Sequence, residues 1–173
     1  TLYFFSFYML GLAEASALFN VSPVLITLGA FLFLGEKINI RRLLGIGTSL
    51  IGALIIIRPG SDVFSVSAIL PLAAAILYSI YNLATRFVGT DESPWTSLFF
   101  SALLGAAFYS FYIVFHWTPM SGNALLLALT IGILATVGHL LLIKSLSLGE
   151  ASLVAPVTYT SLLFSTIWGL ILF

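Results

Sequence analysis

Long apolar runs separated by short polar stretches constrain this chain more than any other feature. Its Asp, Glu, Lys and Arg side chains all fall at or near the ends of those runs. A helix needs about 20 apolar residues to cross about 30 Å of hydrocarbon. The runs predict six membrane-spanning helices, preceded by the last part of an earlier one in residues 1–12: 15–35, 41–57, 66–86, 95–115, 124–143 and 151–173.

The composition indicates that lipid is the solvent. Hydrophobic residues make up 61% of the chain and charged residues only 7%, against roughly 25% charged residues in an ordinary globular domain. The formal net charge is zero, so we expect no nucleic-acid partner. The absence of cysteine excludes disulfides and thiolate metal sites. We therefore predict an all-α integral membrane protein in a lipid bilayer, with no metal and no cofactor.

The basic side chains predict the orientation of the helices. Each helix reverses the side of the membrane, and five basic residues then fall on one side: Lys37, Arg41, Arg42, Arg86 and Lys144. Only Arg58 falls on the opposite side. Cytoplasmic loops carry the excess of Lys and Arg, so the loop at residues 36–42 is predicted to be cytoplasmic.

A short sequence repeat predicts an internal symmetry. The run Glu14-Ala15-Ser16 returns 136 residues later as Glu150-Ala151-Ser152, each time before a long apolar stretch. In the predicted topology these two stretches cross the membrane in opposite directions, which is an inverted-topology repeat and is typical of secondary transporters. Both glutamates are predicted to cap the helices that they precede, because the helix dipole favours an anion there.

Several motifs, in this order, resemble a known family. Pro23 precedes Leu34-Gly35-Glu36, and a run from Arg42 ends in Arg58-Pro59-Gly60. Gly138-His139 then leads to Ala155-Pro156-Val157-Thr158-Tyr159-Thr160. This arrangement resembles the EamA-type branch of the drug/metabolite transporter superfamily, in particular a subset that includes proteins described as S-adenosylmethionine and riboflavin transporters. The second Leu-Gly-Glu equivalent would fall just past Phe173.

The resemblance implies a multi-helix bundle of ten helices in two five-helix halves. Residues 1–60 would then be the end of the first half, with the tail of helix three and helices four and five. Residues 61–173 would be helices six to nine of the second half. We therefore expect the sequence to be a fragment of a longer transporter, with helix ten missing.

Polar side chains in the apolar runs predict where a solute binds. They recur at helical spacing on five of the runs, so on each helix they share one face. Polar groups in lipid usually face a bundle interior, although Ser, Thr and Gly also serve as contacts between packed helices. The substrate-binding candidates are Asn20, Tyr78, Tyr81, Asn82, His139, Thr158 and Tyr159.

Two prolines and one histidine have further interpretations. Pro23 and Pro156 each remove a backbone hydrogen bond and are predicted to kink their helices, which would place backbone groups beside a solute. His139 is the one imidazole within a predicted span. It could bind substrate or carry a proton, since an imidazole titrates near neutral pH, or it could simply bond to a neighbouring helix.

The favoured function is a secondary transporter that moves a small organic metabolite across the bacterial cytoplasmic (inner) membrane by alternating access. An enzyme is not expected, because the single in-span histidine has no carboxylate partner at depth and the chain has no Cys and no His-Glu-x-x-His. A non-transporting membrane component, such as an assembly or sensor subunit, is the alternative. Small-residue patterns such as Gly45-x-x-x-Ser49 fit packing within the bundle or a homodimer.

Overall fold

Helices and their connections make up the part of the chain that the structure describes. In a computed structural model, these residues are 5–6, 9–10, 12–57, 66–89, 91–117, 119–161 and 164. The α-helices are α1 (Leu12–Phe19), α2 (Ser22–Leu34), α3 (Ile40–Ile57), α4 (Ile69–Val88), α5 (Pro94–Phe115), α6 (Gly122–Leu148) and α7 (Ala151–Val154). A 3₁₀ turn, Val66–Ala68, precedes α4, and a 3₁₀ helix, Ala155–Tyr159, follows α7.

Four helical stretches among these residues are long and apolar enough to cross a membrane: Ala15–Leu34, Ile69–Val88, Pro94–Phe115 and Gly122–Leu148. The first of them contains the turn between α1 and α2. They confirm the spans that the sequence predicts at 15–35, 66–86, 95–115 and 124–143. Helix α3 covers the span predicted at 41–57. Most of the span predicted at 151–173 lies outside the described residues.

The chain forms two compact units. The first consists of Thr1–Ala84 and Gly149–Phe173, and the second of Thr85–Leu148. The boundary between the units therefore falls inside α4. The halves predicted from the sequence, 1–60 and 61–173, rest on the internal repeat and not on contacts, so their boundary differs from that of the two units. These halves stay a prediction.

The first unit is held together by close packing of small residues. Helix α1 packs against α3, while α2 packs against α7 and the 3₁₀ helix that follows it. Ala15, Ala30 and Ala75 are fully buried. A Cβ atom at Gly29 would collide with Leu83 Cδ1, so the missing side chain lets α2 and α4 approach each other.

The second unit contains the consecutive helices α5 and α6, which pack against each other. Helix α5 begins where the sequence predicts a start, because the Ser93 side chain accepts a hydrogen bond from the Trp95 N–H and Pro94 occupies the first turn. Helix α5 buries no residue, and α6 buries Ile143 and Leu146. Such exposed apolar surfaces suit helices whose surroundings are lipid or other helices.

The end of α6 has a cationic cap within the second unit. The Arg86 guanidinium Nη1 donates to the backbone carbonyls of Leu146 and Ser147, at 2.9 and 3.2 Å. The last carbonyls of a helix have no partner in their own helix and carry partial negative charge. Arg86 therefore caps the C-terminal end of α6 in addition to its predicted position on the cytoplasmic side.

Candidate functional site

A break between α1 and α2 exposes backbone groups inside the first unit. Pro23 has no N–H and so cannot continue the hydrogen-bond ladder of α1. Asn20 and Val21 form a turn, and the Val24 N–H bonds to the Val21 carbonyl at 3.1 Å instead of to the Asn20 carbonyl. The ladder resumes with Leu25 bonded to Val21 at 3.2 Å. The Asn20 carbonyl is thereby left available to a partner outside α2.

Hydroxyl groups from two other elements bond to these backbone groups. Tyr159 Oη, at the end of the 3₁₀ helix, donates to the Asn20 carbonyl at 3.1 Å. Ser79 Oγ on α4 lies 3.2 Å from the Ser22 carbonyl and 2.7 Å from the Ala75 carbonyl. A hydroxyl has one proton, so the shorter contact, to its own helix, dominates. We call Asn20, Ser22, Ser79 and Tyr159 the helix-break site.

One aromatic side chain of α4 adjoins the helix-break site, and a buried amide follows it on the same helix. The Tyr78 ring packs at 48° against the ring of Phe19, the residue before Asn20, with 5.4 Å between ring centroids. Asn82 is only 2% exposed, and its Nδ2 donates to the Tyr78 carbonyl at 2.7 Å. The half-buried Tyr78 ring therefore lies beside the break, and the buried Asn82 amide lies one helical turn further along α4.

The remaining sequence-predicted site residues have separate positions. Tyr81 is half-buried on α4, in the same unit. Thr158 lies on the 3₁₀ helix, where its hydroxyl donates to the Ala155 carbonyl of the same helix at 2.7 Å. His139 is half-buried on α6 and belongs to the second unit. Of the candidates, the structure thus connects Asn20 with Tyr159 and Tyr78 with Asn82.

Pro156 lies at a change of helix type. Helix α7 ends at Val154, and the chain continues as the 3₁₀ helix with Pro156 in its first turn. A 3₁₀ stretch has three residues per turn, so it turns the following side chains relative to an α-helix and often marks a hinge. Both predicted kink residues, Pro23 and Pro156, therefore lie in the first turn of a new helical segment.

Several hydroxyls in the apolar segments bond back to a preceding carbonyl of the same segment. The hydroxyl of each donates to a carbonyl three or four residues earlier, as seen for Thr27, Thr136, Thr158 and Ser161. Such a bond satisfies the polar group in an apolar setting without a partner helix. Tyr159, by contrast, donates to a carbonyl of another element. Ser79 combines its bond to its own helix with a longer contact to the Ser22 carbonyl.

A second polar cluster lies where α2 ends. Gly35 adopts a left-handed conformation, with φ of 66°, and the Glu36 N–H bonds back to the Ala30 carbonyl at 3.1 Å. This turn, which favours glycine, directs the Glu36 carboxylate to the start of α7. Its Oε1 accepts the Ala151 N–H at 2.8 Å and its Oε2 accepts the Ser152 N–H at 2.9 Å.

An ion pair completes this cluster. Arg42 Nη1 donates to Glu150 Oε2 at 2.5 Å and to Ser152 Oγ at 2.7 Å. We call Glu36, Arg42, Glu150 and Ser152 the Glu36 cluster. The cluster joins two segments that are far apart in sequence, since Arg42 and Glu150 are separated by 108 residues.

The capping role predicted for Glu150 is wrong. Glu150 precedes α7, but its side chain bonds to none of the helix N–H groups and pairs with Arg42 instead. The carboxylate that caps α7 is Glu36, for which no capping role was predicted. The sequence does contain a signal for Glu36, because the motif Leu34-Gly35-Glu36 lies on the same predicted side of the membrane as Glu150. The side chain of Glu14 lies outside the described ones.

A comparison with known protein families decides the relationship of this chain. The model of the EamA-like transporter family matches residues 1–58 and 65–173. The chain belongs to this family. It is therefore a multi-pass integral membrane protein of the cytoplasmic (inner) membrane, and the prediction of an all-α membrane fold is confirmed.

Curated EamA relatives are named as transporters. A riboflavin transporter of Vibrio cholerae is 28% identical over 161 residues, which are 92% of this chain and 54% of that protein. A pseudopaline exporter of Pseudomonas aeruginosa is 28% identical over 96% of this chain and 60% of its own length. An S-adenosylmethionine uptake transporter of Rickettsia felis is 25% identical over 87% and 51%.

The chain spans about half the length of the curated relatives it matches. No solved structure matches it at a significant level. The names of the relatives support the prediction that the chain is not an enzyme, since each names transport of a solute.

Proposed function

We propose that this EamA-family chain belongs to a secondary transporter that moves a small organic metabolite across the membrane by alternating access. Transport itself is suggested by the family and by the names of its relatives. The observation that carries the proposal further is the helix-break site, where a backbone carbonyl released from its helix meets a tyrosine hydroxyl from a distant segment. Broken helices of this kind are how transporters present backbone groups to a solute.

The solute that we propose is flat or amphipathic. Tyr78 and Tyr159 supply aromatic faces, and Asn82 supplies an amide with both donor and acceptor atoms. None of these side chains is charged, so they suit a solute recognised by stacking and neutral hydrogen bonds. The relatives are named for several different organic solutes, which makes riboflavin and S-adenosylmethionine suitable first probes.

Two inverted halves are part of the same proposal. Asn20 belongs to the predicted first half and Tyr159 to the predicted second half, so their hydrogen bond joins the two. A binding site near the midplane, between halves that rock around it, is the arrangement expected of inverted-repeat transporters. Asn20, Tyr78, Tyr81, Asn82, Thr158 and Tyr159 remain its candidate binding residues, and His139 remains a separate candidate in the second unit.

Counterflow in liposomes tests this function. The full-length protein would be reconstituted with unlabelled solute inside, and uptake of labelled solute from outside would be followed. Because counterflow does not depend on the direction of net transport, it suits a family whose relatives are named for both export and uptake. We expect transient accumulation of label for at least one flat organic solute.

Variants at the helix-break site sharpen the test. Replacing Asn82 by Ala, or Tyr159 by Phe, removes about one hydrogen bond, or about 1 kcal/mol, which corresponds to a roughly five-fold rise in KM. Tyr112→Phe is the matched control, because Tyr112 is exposed on α5 in the second unit. A monodisperse protein that shows no counterflow with any solute would favour a non-transporting membrane component.

A further inference from the structure

The Glu36 cluster joins segments that the proposed mechanism must separate. Residues 36–42 lie at the junction of α2 and α3, in the predicted first half. Residues 150–152 lie at the start of α7, in the predicted second half. Both segments are predicted to lie on the cytoplasmic side, because they belong to the side that carries most of the basic residues. Helix α2 also packs directly against α7. The cluster therefore bonds the two halves to each other at one face of the membrane.

The Glu36 contact is the tighter part of this connection. Glu36 is 8% exposed, and each of its two carboxylate oxygens accepts one backbone N–H. Burying a carboxylate costs free energy unless the carboxylate is hydrogen-bonded. Glu36 has two such bonds, and its negative charge lies at the positive N-terminal end of a helix. If α7 moved away without water entering, both the carboxylate and the two N–H groups would lose their partners.

The Arg42–Glu150 pair is the looser part. The side chains of Arg42 and Glu150 are 24% and 45% exposed. Ion pairs that water can reach contribute little to stability, so this pair can separate at small cost. Its position next to Ser152, to which Arg42 also donates, adds a second connection between the same two segments.

We propose that the Glu36 cluster is a latch that keeps the cytoplasmic side closed and that opens when the transporter faces inward. This inference rests on the proposed alternating-access function. Opening would release the Ala151 and Ser152 N–H groups from Glu36 and let water reach both. The state in which all four residues are joined is then the inward-closed state, and weakening the latch shifts the population toward the inward-open state.

Cysteine labelling of the full-length protein tests the latch. Ala155, one turn into the segment that begins at Ala151, is 2% exposed, so a cysteine there reports opening. Residues 1–173 contain no cysteine, and any in the rest of the protein would be replaced by serine. A membrane-impermeant thiol reagent would be applied from the cytoplasmic face of membrane vesicles.

We expect Glu36→Gln to raise the labelling rate of Ala155→Cys about ten-fold. The amide keeps the size of the carboxylate but loses its charge and one of its two acceptor positions. Glu150→Gln should raise the rate only about two-fold, because the Arg42 pair is more exposed. Glu92→Gln is the matched control, since Glu92 is an exposed glutamate in a loop on the same predicted side, and its rate should equal that of the parent.

Charge exchange provides a second measurement. Arg42→Glu should raise the labelling rate, and the double variant Arg42→Glu with Glu150→Arg should lower it again toward the parent. The comparison of these two variants also tests the latch if Glu36→Gln does not yield a monodisperse protein. Unchanged labelling in folded Glu36→Gln, or equal rates in Arg42→Glu and the double variant, would overturn the latch.

Counterflow with the same proteins separates the two proposals. If the parent protein transports but the labelling rate does not change in the Glu36 and Arg42 variants, the latch is refuted and the transport function is supported. Labelling that responds to Glu36, combined with no counterflow for any solute, refutes the transport function and leaves the latch as a conformational switch.

Discussion

The two copies of Glu-Ala-Ser have the same sequence and different structures. The first copy, Glu14-Ala15-Ser16, lies inside α1, which is already helical at Leu12. The second copy straddles a helix start, because Glu150 precedes α7 and Ala151 is its first residue. The tripeptide therefore does not mark a helix start by itself. What distinguishes the second copy is that Glu36 holds its N–H groups from outside.

The helices that follow the two copies are also interrupted differently. After the first copy, a turn at Asn20 and Val21 leads to the 13-residue α-helix α2. After the second copy, four residues of α-helix pass into the 3₁₀ helix. With the 136-residue offset Pro156 aligns with Asn20 rather than with Pro23. In the second copy, the displaced proline thus places the interruption closer to the start of α7. Tyr159, which follows this interruption, donates to the Asn20 carbonyl at the first one.

The largest predicted effect concerns the cap that only the second copy has. Glu36→Ala should raise the amide exchange rates of residues 151–154 about 30-fold, or about 2 kcal/mol, because two buried N–H groups lose a charged acceptor. Residues 15–18 should exchange as before. Hydrogen exchange with mass spectrometry on the full-length protein measures both segments. Glu92→Ala is the control. Equal changes in the exchange rates of the two segments in Glu36→Ala would show that Glu36 does not stabilise the second copy specifically.

A smaller effect should follow from changing the turn that directs Glu36. Gly35→Ala should destabilise the protein by about 1 kcal/mol, since an alanine at a φ of 66° is strained. Gly105→Ala, in the middle of α5 and with open space around its Cβ position, should instead be neutral or slightly stabilising. Thermal unfolding in detergent compares the two. Equal melting temperatures for both variants would mean that the turn at Gly35 does not hold the Glu36 cluster.

The smallest effect is expected at the first interruption. Ser79→Ala removes the hydroxyl near the Ser22 carbonyl and should cost about 0.5 kcal/mol, because the stronger bond of Ser79 is to its own helix. Thr136→Ala is the control, since Thr136 is exposed and bonds back within α6. Exchange of the amides of residues 22–26 is the measurement. A large loss at Ser79 would mean that the break depends on α4 more than on Pro23.

The sequence predicted the spans well and the polar contacts poorly. The spans follow from apolar length alone, so α4, α5 and α6 begin close to their predicted positions, although α6 continues past its predicted end at residue 143 to Leu148. The candidates Tyr78 and Asn82 follow from helical spacing, and their role in solute binding stays a prediction. The role of Glu36 was missed because its partners, 115 and 116 residues away, are backbone groups, which no side-chain pattern reveals.

The sequence by itself determined that this is a membrane protein, which segments span the membrane, and to which family it belongs. These properties depend on composition, run length and motif order, each of which is a property of the chain alone. Only the tertiary structure decided which glutamate caps α7, which cation pairs with Glu150, and which hydroxyl bonds to the carbonyl at the break. Those choices depend on distances between segments over 100 residues apart, and a carboxylate bonds to whichever donor the fold brings within about 3 Å.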